Sequence, residues 1–95
     1  MNKIGKTKAE KLLAKGAVLV DMRSPVLYRD GHIAGAVNLP LKNFTNLLMG
    51  TPDKKKPIVI YGTTTEDVDV THGFKYAEQL GFTQVFATDY ESLRL

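Results

Sequence analysis

The sequence predicts an α/β fold: a single small domain with a central, mostly parallel β-sheet flanked by helices on both faces. Two continuous apolar runs, at residues 17–20 and 58–61, have the composition of strands covered on both faces. Between and after them, apolar residues recur three and four positions apart over 41–49 and 70–80, which is helical spacing. Strands that alternate with helices favour a parallel sheet, because parallel neighbours need long crossover connections.

The first half of the chain has clear start and stop signals. A short helix is predicted from residue 7 or 8 to Lys15, with Thr7 as its cap and Gly16 ending it. The strand at 17–20 follows, and Ser24 with Pro25 is a typical helix start that leads to a brief helix ending near residue 29. The remaining elements are predicted as a strand at 36–39, a helix at 41–49, a strand at 58–61, a helix ending at 81, a strand at 85–87 and a helical turn within 90–95.

Length and composition narrow the function classes. Ninety-five residues make one domain, predicted here over 1–95. No apolar run approaches the roughly 18 residues of a membrane span, and the N-terminus lacks a secretory apolar region. We therefore expect a cytoplasmic protein without a membrane partner. The net charge of +3 comes from lysine runs without interleaved arginines or aromatics, so no nucleic-acid partner is expected.

Cysteine is absent. This excludes disulfides, thiolate metal sites and every mechanism that needs a cysteine nucleophile. His32 and His72 stand forty positions apart and show no ligand spacing, so neither a metal nor another cofactor is expected. A threonine nucleophile is conceivable in the stretch 63–65, but threonine-rich turns more often bond their own backbone.

Two stretches resemble the rhodanese-homology family, and the resemblance covers about residues 7–90. The segment VLVDMRSPVLYRDGHIAGAVNLP, residues 18–40, is similar to the family's first signature, and KPIVIYG, residues 56–62, to the strand that carries its active-site cysteine. The positions that match the first signature are Asp21, Arg23, Tyr28, Gly31, His32, Ile33, Gly35, Ala36, Asn38 and Pro40.

The resemblance implies a sulfurtransferase in which a cysteine takes sulfane sulfur as a persulfide. The position that matches this cysteine is Gly62, which has no side chain with which to attack. Because persulfide chemistry requires a thiolate, we expect an inactive homologue without a catalytic residue, although the family alone leaves the enzyme assignment open.

The segment after this strand is the candidate binding loop. In active members the loop amides converge on an anion, whereas here Glu66 and Asp67, with Asp69 close behind, would repel one. Its acidic, threonine-rich character suggests a basic protein segment or another polar partner. The candidate loop residues are Gly62, Thr63, Thr64, Thr65, Glu66, Asp67 and Val68.

Asp21, Arg23 and His32 are predicted to anchor loops rather than to react. Asp21 and Arg23 are two positions apart, so they point to the same face of an extended chain. Three functions remain in competition: an inactive binding or regulatory module, a sulfurtransferase, and an orphan structural domain. The lysine-rich N-terminal helix is a second candidate contact surface, and the sequence does not indicate the oligomeric state.

Overall fold

A computed structural model describes all residues, 1–95. The chain forms four strands and five helices that alternate along the sequence. In chain order they are α1 (Lys6–Ala14), β1 (Val18–Asp21), α2 (Pro25–Asp30), β2 (Val37–Asn38), α3 (Leu41–Met49), β3 (Ile58–Gly62), α4 (Val68–Gln79), β4 (Val85–Asp89) and α5 (Tyr90–Arg94). None of these helices has the length and apolar character needed to cross a membrane.

The four strands form one sheet in the order β2-β1-β3-β4, and every neighbouring pair is parallel. The predicted α/β architecture is therefore confirmed. Register places Asp21 of β1 beside Tyr61 of β3, and Gly62 of β3 beside Asp89 of β4. Because the strands are parallel, their carboxyl ends lie at one edge of the sheet, and the loops that follow them meet there.

Helices cover both faces of the sheet, and each face has its own apolar core. The side chains of α3 and α4, such as Phe44 and Phe74, pack on one face with Val20 and Ile60. Those of α1 and α5, such as Leu12 and Leu93, pack on the other with Leu19 and Val59. Successive strand residues alternate between the two cores, which explains why the runs at 17–20 and 58–61 are apolar throughout.

Most predicted boundaries agree with the structure within two residues, and α3 agrees at both ends. The predicted cap of α1 is wrong: the helix begins at Lys6, with Gly5 at the N-cap and no capping side chain. Gly16 ends α1 as predicted, because its φ of +93° lies in the left-handed region that glycine adopts without a Cβ clash.

The segment before α1 pairs with β4, which sequence patterns did not predict. The Ile4 N–H donates to the Ala87 carbonyl at 2.9 Å, and the Ala87 N–H donates to the Asn2 carbonyl at 2.8 Å. Lys3 and Ala87 form an isolated parallel bridge. The N-terminal segment thus covers the edge that β4 would otherwise expose.

Candidate functional site

The candidate loop begins where the most deeply buried strand ends. All five residues of β3 are buried, and its last residue, Gly62, lies at the carboxyl edge of the sheet. The loop leads directly into α4, whose first residue is Val68. A site placed between a strand end and a helix start is the usual location of ligand sites in parallel α/β sheets.

The loop is held by its own side chains. The Thr63 N–H donates to Asp67 Oδ2 at 2.8 Å, and the Thr64 hydroxyl donates to Asp67 Oδ1 at 3.1 Å. The same Thr64 oxygen accepts from the Glu66 N–H at 3.1 Å. Threonine and aspartate side chains therefore satisfy part of the loop's backbone, as the threonine-rich composition indicated.

The space above Gly62 is filled. A Cβ atom at this position would lie 2.5 Å from Asp67 Oδ2 and 2.8 Å from Val70 Cγ2. Both distances are shorter than any ordinary Cβ contact, so a larger residue at 62 requires its neighbours to move. The position that the resemblance matches to the family's cysteine therefore lacks a thiol, and a Cβ there would require the side chains of Asp67 and Val70 to shift.

Asp21 and Arg23 form a buried ion pair, as their shared face predicted. The Arg23 Nη2 donates to Asp21 Oδ2 at 2.8 Å, and the Arg23 backbone N–H donates to Asp21 Oδ1 at 2.8 Å. Arg23 Nη2 also donates to the Gly31 carbonyl at 2.6 Å, which ties the end of β1 to the segment after α2. The hydrogen bond to Asp21 raises the pKa of Arg23 above its already high ordinary value.

Two tyrosines complete this cluster. The Tyr61 hydroxyl donates to Asp21 Oδ2 at 2.7 Å and accepts from the Ile33 N–H at 3.2 Å. The Arg23 guanidinium carbon lies 4.2 Å from the centre of the Tyr90 ring, a cation–π distance. Burial raises the pKa of Tyr61, because a phenolate would be poorly solvated there. The cluster fixes loops, and its charges are satisfied internally.

His32 is exposed and lies outside the cleft described below. Its Nδ1 is 2.8 Å from the Tyr28 carbonyl oxygen, and since a carbonyl only accepts, this nitrogen donates. The imidazole also stacks on the Tyr28 ring with a centroid distance of 3.7 Å. Both contacts join the segment after α2 to Tyr28 of that helix, and the role of His32 as a loop anchor stays a prediction.

An open cleft of about 260 Å³ lies beside the loop. Of the predicted site residues it gathers Arg23, Thr63, Asp67 and Val68, together with Asp69. Sequence reasoning missed three further lining residues, Met22, Ser24 and Leu27, although all three lie at or near the carboxyl end of β1, where a parallel sheet places its sites. Since the Arg23 charge is paired with Asp21, Asp67 and Asp69 leave the cleft net acidic.

The N-terminal segment reaches the same loop. Lys3 Nζ donates to Glu66 Oε1 at 2.6 Å, and this hydrogen bond lowers the pKa of Glu66. Both side chains are largely exposed, so the pair is screened by solvent and contributes little to stability. The rim of the candidate site is the candidate binding loop together with Asp69, and one of its three acidic residues, Glu66, is thus neutralised within the chain. No group of three or more histidine or carboxylate side chains is arranged to hold a metal ion.

Known proteins provide an independent comparison. The family model of the rhodanese-like domain matches residues 6–90. No curated protein sequence shows significant similarity to the chain.

Solved structures share the fold. The solution structure of a rhodanese-like domain from Anabaena matches with a TM-score of 0.77 and 20% identity, over 99% of this chain and 74% of that one. A human single-domain sulfurtransferase matches with a TM-score of 0.72 and 22% identity, over 98% and 90%. An E. coli rhodanese solved with anions matches with a TM-score of 0.70 and 23% identity, over 81% and 91%. With the family model matching nearly the whole chain, and with the same fold in each of these structures, this chain belongs to the rhodanese-like domain family.

Proposed function

We propose that this chain is a catalytically inactive rhodanese-like domain that binds a protein partner in the cytoplasm through the rim of the former active site. The observation that carries the proposal is that position 62, which matches the family's cysteine, is a glycine. Gly62 ends the active-site strand, the chain contains no cysteine, and the Asp67 carboxylate occupies the space beside it. Without a thiolate no persulfide can form, so the fold's usual chemistry is lost.

Inactivity is tested with a thiosulfate:cyanide assay on the purified chain. Thiocyanate formation is expected to stay at the background rate of buffer, with an active rhodanese as the positive control. Thiocyanate above that background would overturn the proposal and restore the sulfurtransferase alternative. Gly62→Cys is also expected to show little activity, because the crowded site resists a side chain and Asp67 disfavours both a thiolate and an anionic donor.

The chemistry of the cleft supports a basic partner. Its wall combines the carboxylates of Asp67 and Asp69 with two exposed apolar side chains, Leu27 and Val68. A lysine or arginine side chain matches both features, since its aliphatic stem packs on apolar surface while its charge stays near a carboxylate. Loops held on a rigid sheet are also where recognition is commonly located.

Binding is tested by NMR titration of the isotope-labelled chain. One titration uses a peptide rich in lysine and arginine, and the other uses an acidic peptide as the control. We expect the basic peptide to perturb the resonances of residues 63–69 and the acidic one to leave them unchanged. Asp69→Lys should abolish this effect. Glu78→Lys is the matched control, since it makes the same charge change roughly 14 Å further along α4. Equal binding by both variants would exclude the rim, and no binding of the basic peptide at all would favour the orphan structural domain.

A further inference from the structure

Asp67 occupies the N-cap of α4, but its side chain does not cap the helix. Aspartate is among the best N-cap residues, and its carboxylate normally accepts from an N–H group of the first helical turn. Here the carboxylate turns back into the loop and accepts from the Thr63 N–H and the Thr64 hydroxyl. The helix start therefore gives up its ordinary capping bond for a contact at the end of β3.

The position that the carboxylate takes is the one that a side chain at residue 62 would need. A Cβ on Gly62 would lie 2.5 Å from Asp67 Oδ2 and 3.1 Å from Asp67 Cγ. The φ angle of Gly62 is not in the left-handed region, so its backbone conformation is open to any residue. Glycine at 62 is thus favoured by the limited space and not by backbone freedom, and the Asp67 carboxylate is the group nearest to that space.

We propose that Asp67 is an internal plug of the former active site. Its negatively charged carboxylate holds the first amide of the loop, that of Thr63, and fills the volume above Gly62. Gly62 and Asp67 then act as one unit: the plug fits only beside a glycine, and a side chain at 62 fits only when the plug is withdrawn. This inference concerns the packing of the loop against position 62 and holds whether or not the rim binds a partner.

A different result is expected if Asp67 only stabilises the loop and is not a plug. If Asp67 only satisfied the Thr63 amide, the cost of replacing it would not depend on the residue at 62. A plug makes the two positions non-additive, because each substitution changes the space available to the other. The quantity that separates the two interpretations is therefore the coupling between positions 62 and 67.

The test is a double-mutant cycle of Gly62→Ala and Asp67→Ala, followed by urea denaturation. Gly62→Ala alone is expected to lower the midpoint by about 1 M urea. In the Asp67→Ala background the same substitution should lower it by less than half as much, the remainder coming from Val70. Asp69→Ala is the matched control, since it removes a neighbouring carboxylate that is not among the atoms nearest to a Cβ at position 62. An equal loss in all three backgrounds would overturn the plug.

Should Gly62→Ala alone not fold, rescue by a second substitution keeps the proposal testable. Gly62→Ala combined with Asp67→Ala is expected to recover a cooperative urea transition, because the carboxylate nearest the new Cβ is gone. Gly62→Ala combined with Asp69→Ala is the matched control and should stay unfolded. A Gly62→Ala/Asp67→Ala variant that also fails to fold would contradict the plug. Neither experiment measures peptide binding, so their failure and the failure of the proposed function are distinguishable.

Discussion

At the scale of single residues, the Asp21 carboxylate shows how a buried charge is accommodated. It is fully buried and accepts from the guanidinium and backbone N–H of Arg23 and from the Tyr61 hydroxyl. The charges of Asp21 and Arg23 compensate each other. Removing one of them leaves the other buried without a partner, and this lowers the free energy of unfolding by far more than the intact pair contributes to it.

Arg23→Ala is expected to lower the free energy of unfolding by about 3–5 kcal/mol, because it leaves Asp21 charged and buried. Arg94→Ala is the matched control. Its ion pair with Glu91 is exposed, so the expected loss is within about 0.5 kcal/mol. Urea denaturation at neutral pH measures both. Similar losses for the two variants would show that the Asp21 site is well solvated.

A second residue-scale prediction concerns Thr88, whose hydroxyl is buried without a hydrogen-bond partner. Thr88→Val removes this unsatisfied group and keeps the side-chain shape, so the free energy of unfolding should rise by about 1 kcal/mol.

The matched control for Thr88 is Thr51→Val. The Thr51 hydroxyl donates to the Leu47 carbonyl at 2.7 Å, and its removal should lower the free energy of unfolding by about 1 kcal/mol. Destabilisation by Thr88→Val would mean that this hydroxyl has a partner in solution, such as a buried water.

The sequence reveals only part of the site at this scale. The contact between Asp21 and Arg23 follows from the two-residue period of an extended chain. The match of Gly62 to the family's cysteine position comes from the resemblance of the preceding strand to that family. The orientation of Asp67 could not be predicted, because an aspartate before a helix ordinarily caps it. The Tyr61 contact depends on strand order, which local patterns do not give.

At the scale of elements, the N-terminal segment acts as a short strand at the edge of the sheet. Besides its two backbone hydrogen bonds with Ala87, the segment places the half-buried Ile4 against the core that contains Leu93. This pairing joins residues more than eighty positions apart, and the polar stretch MNK carries no periodic signal, so it was invisible in the sequence. The longer helices and strands were predictable because each has such a signal, and α2 was predictable from its start at Ser24 and Pro25.

Deleting residues 1–4 is expected to lower the free energy of unfolding by about 2–3 kcal/mol, the sum of two backbone hydrogen bonds and the partly buried Ile4. It should also promote self-association, because it exposes the β4 edge. Urea denaturation and sedimentation measure the two effects. Ile4→Ala in the full-length chain is the control that keeps the edge covered, and equal self-association of both proteins would contradict the edge mechanism.

At the scale of the whole molecule, the chain has a net charge of +3 and a cleft that is locally acidic. The salt bridge between Lys3 and Glu66 joins the edge segment to the loop across 63 positions of sequence. This ion pair between the N-terminal segment and the loop after β3 is exposed to solvent, so salt screens it.

The pair predicts a pH dependence with a definite sign. Because the pKa of Glu66 is lowered in the folded chain, its small stabilisation is present above the ordinary value of 4.5 and is lost as the pH falls through the lowered value. Lys3→Gln should therefore reduce the urea midpoint slightly at pH 7 and leave it unchanged at pH 2. Lys11→Gln, an exposed lysine on α1 without an ion pair, is the control, and a larger effect of Lys3→Gln in acid would contradict the assignment.

The crowding at position 62 also bears on the order in which substitutions could introduce a cysteine there. A cysteine introduced there first would enter space that the Asp67 carboxylate already fills, so the intermediate on that route is strained. Replacing Asp67 first costs only its loop contacts, and it vacates part of the volume. The two routes to the same double variant therefore differ in their intermediates, and the route that begins with Gly62→Cys is the disfavoured one. The arrangement of Gly62 and Asp67 thus acts as a ratchet against a cysteine at this position.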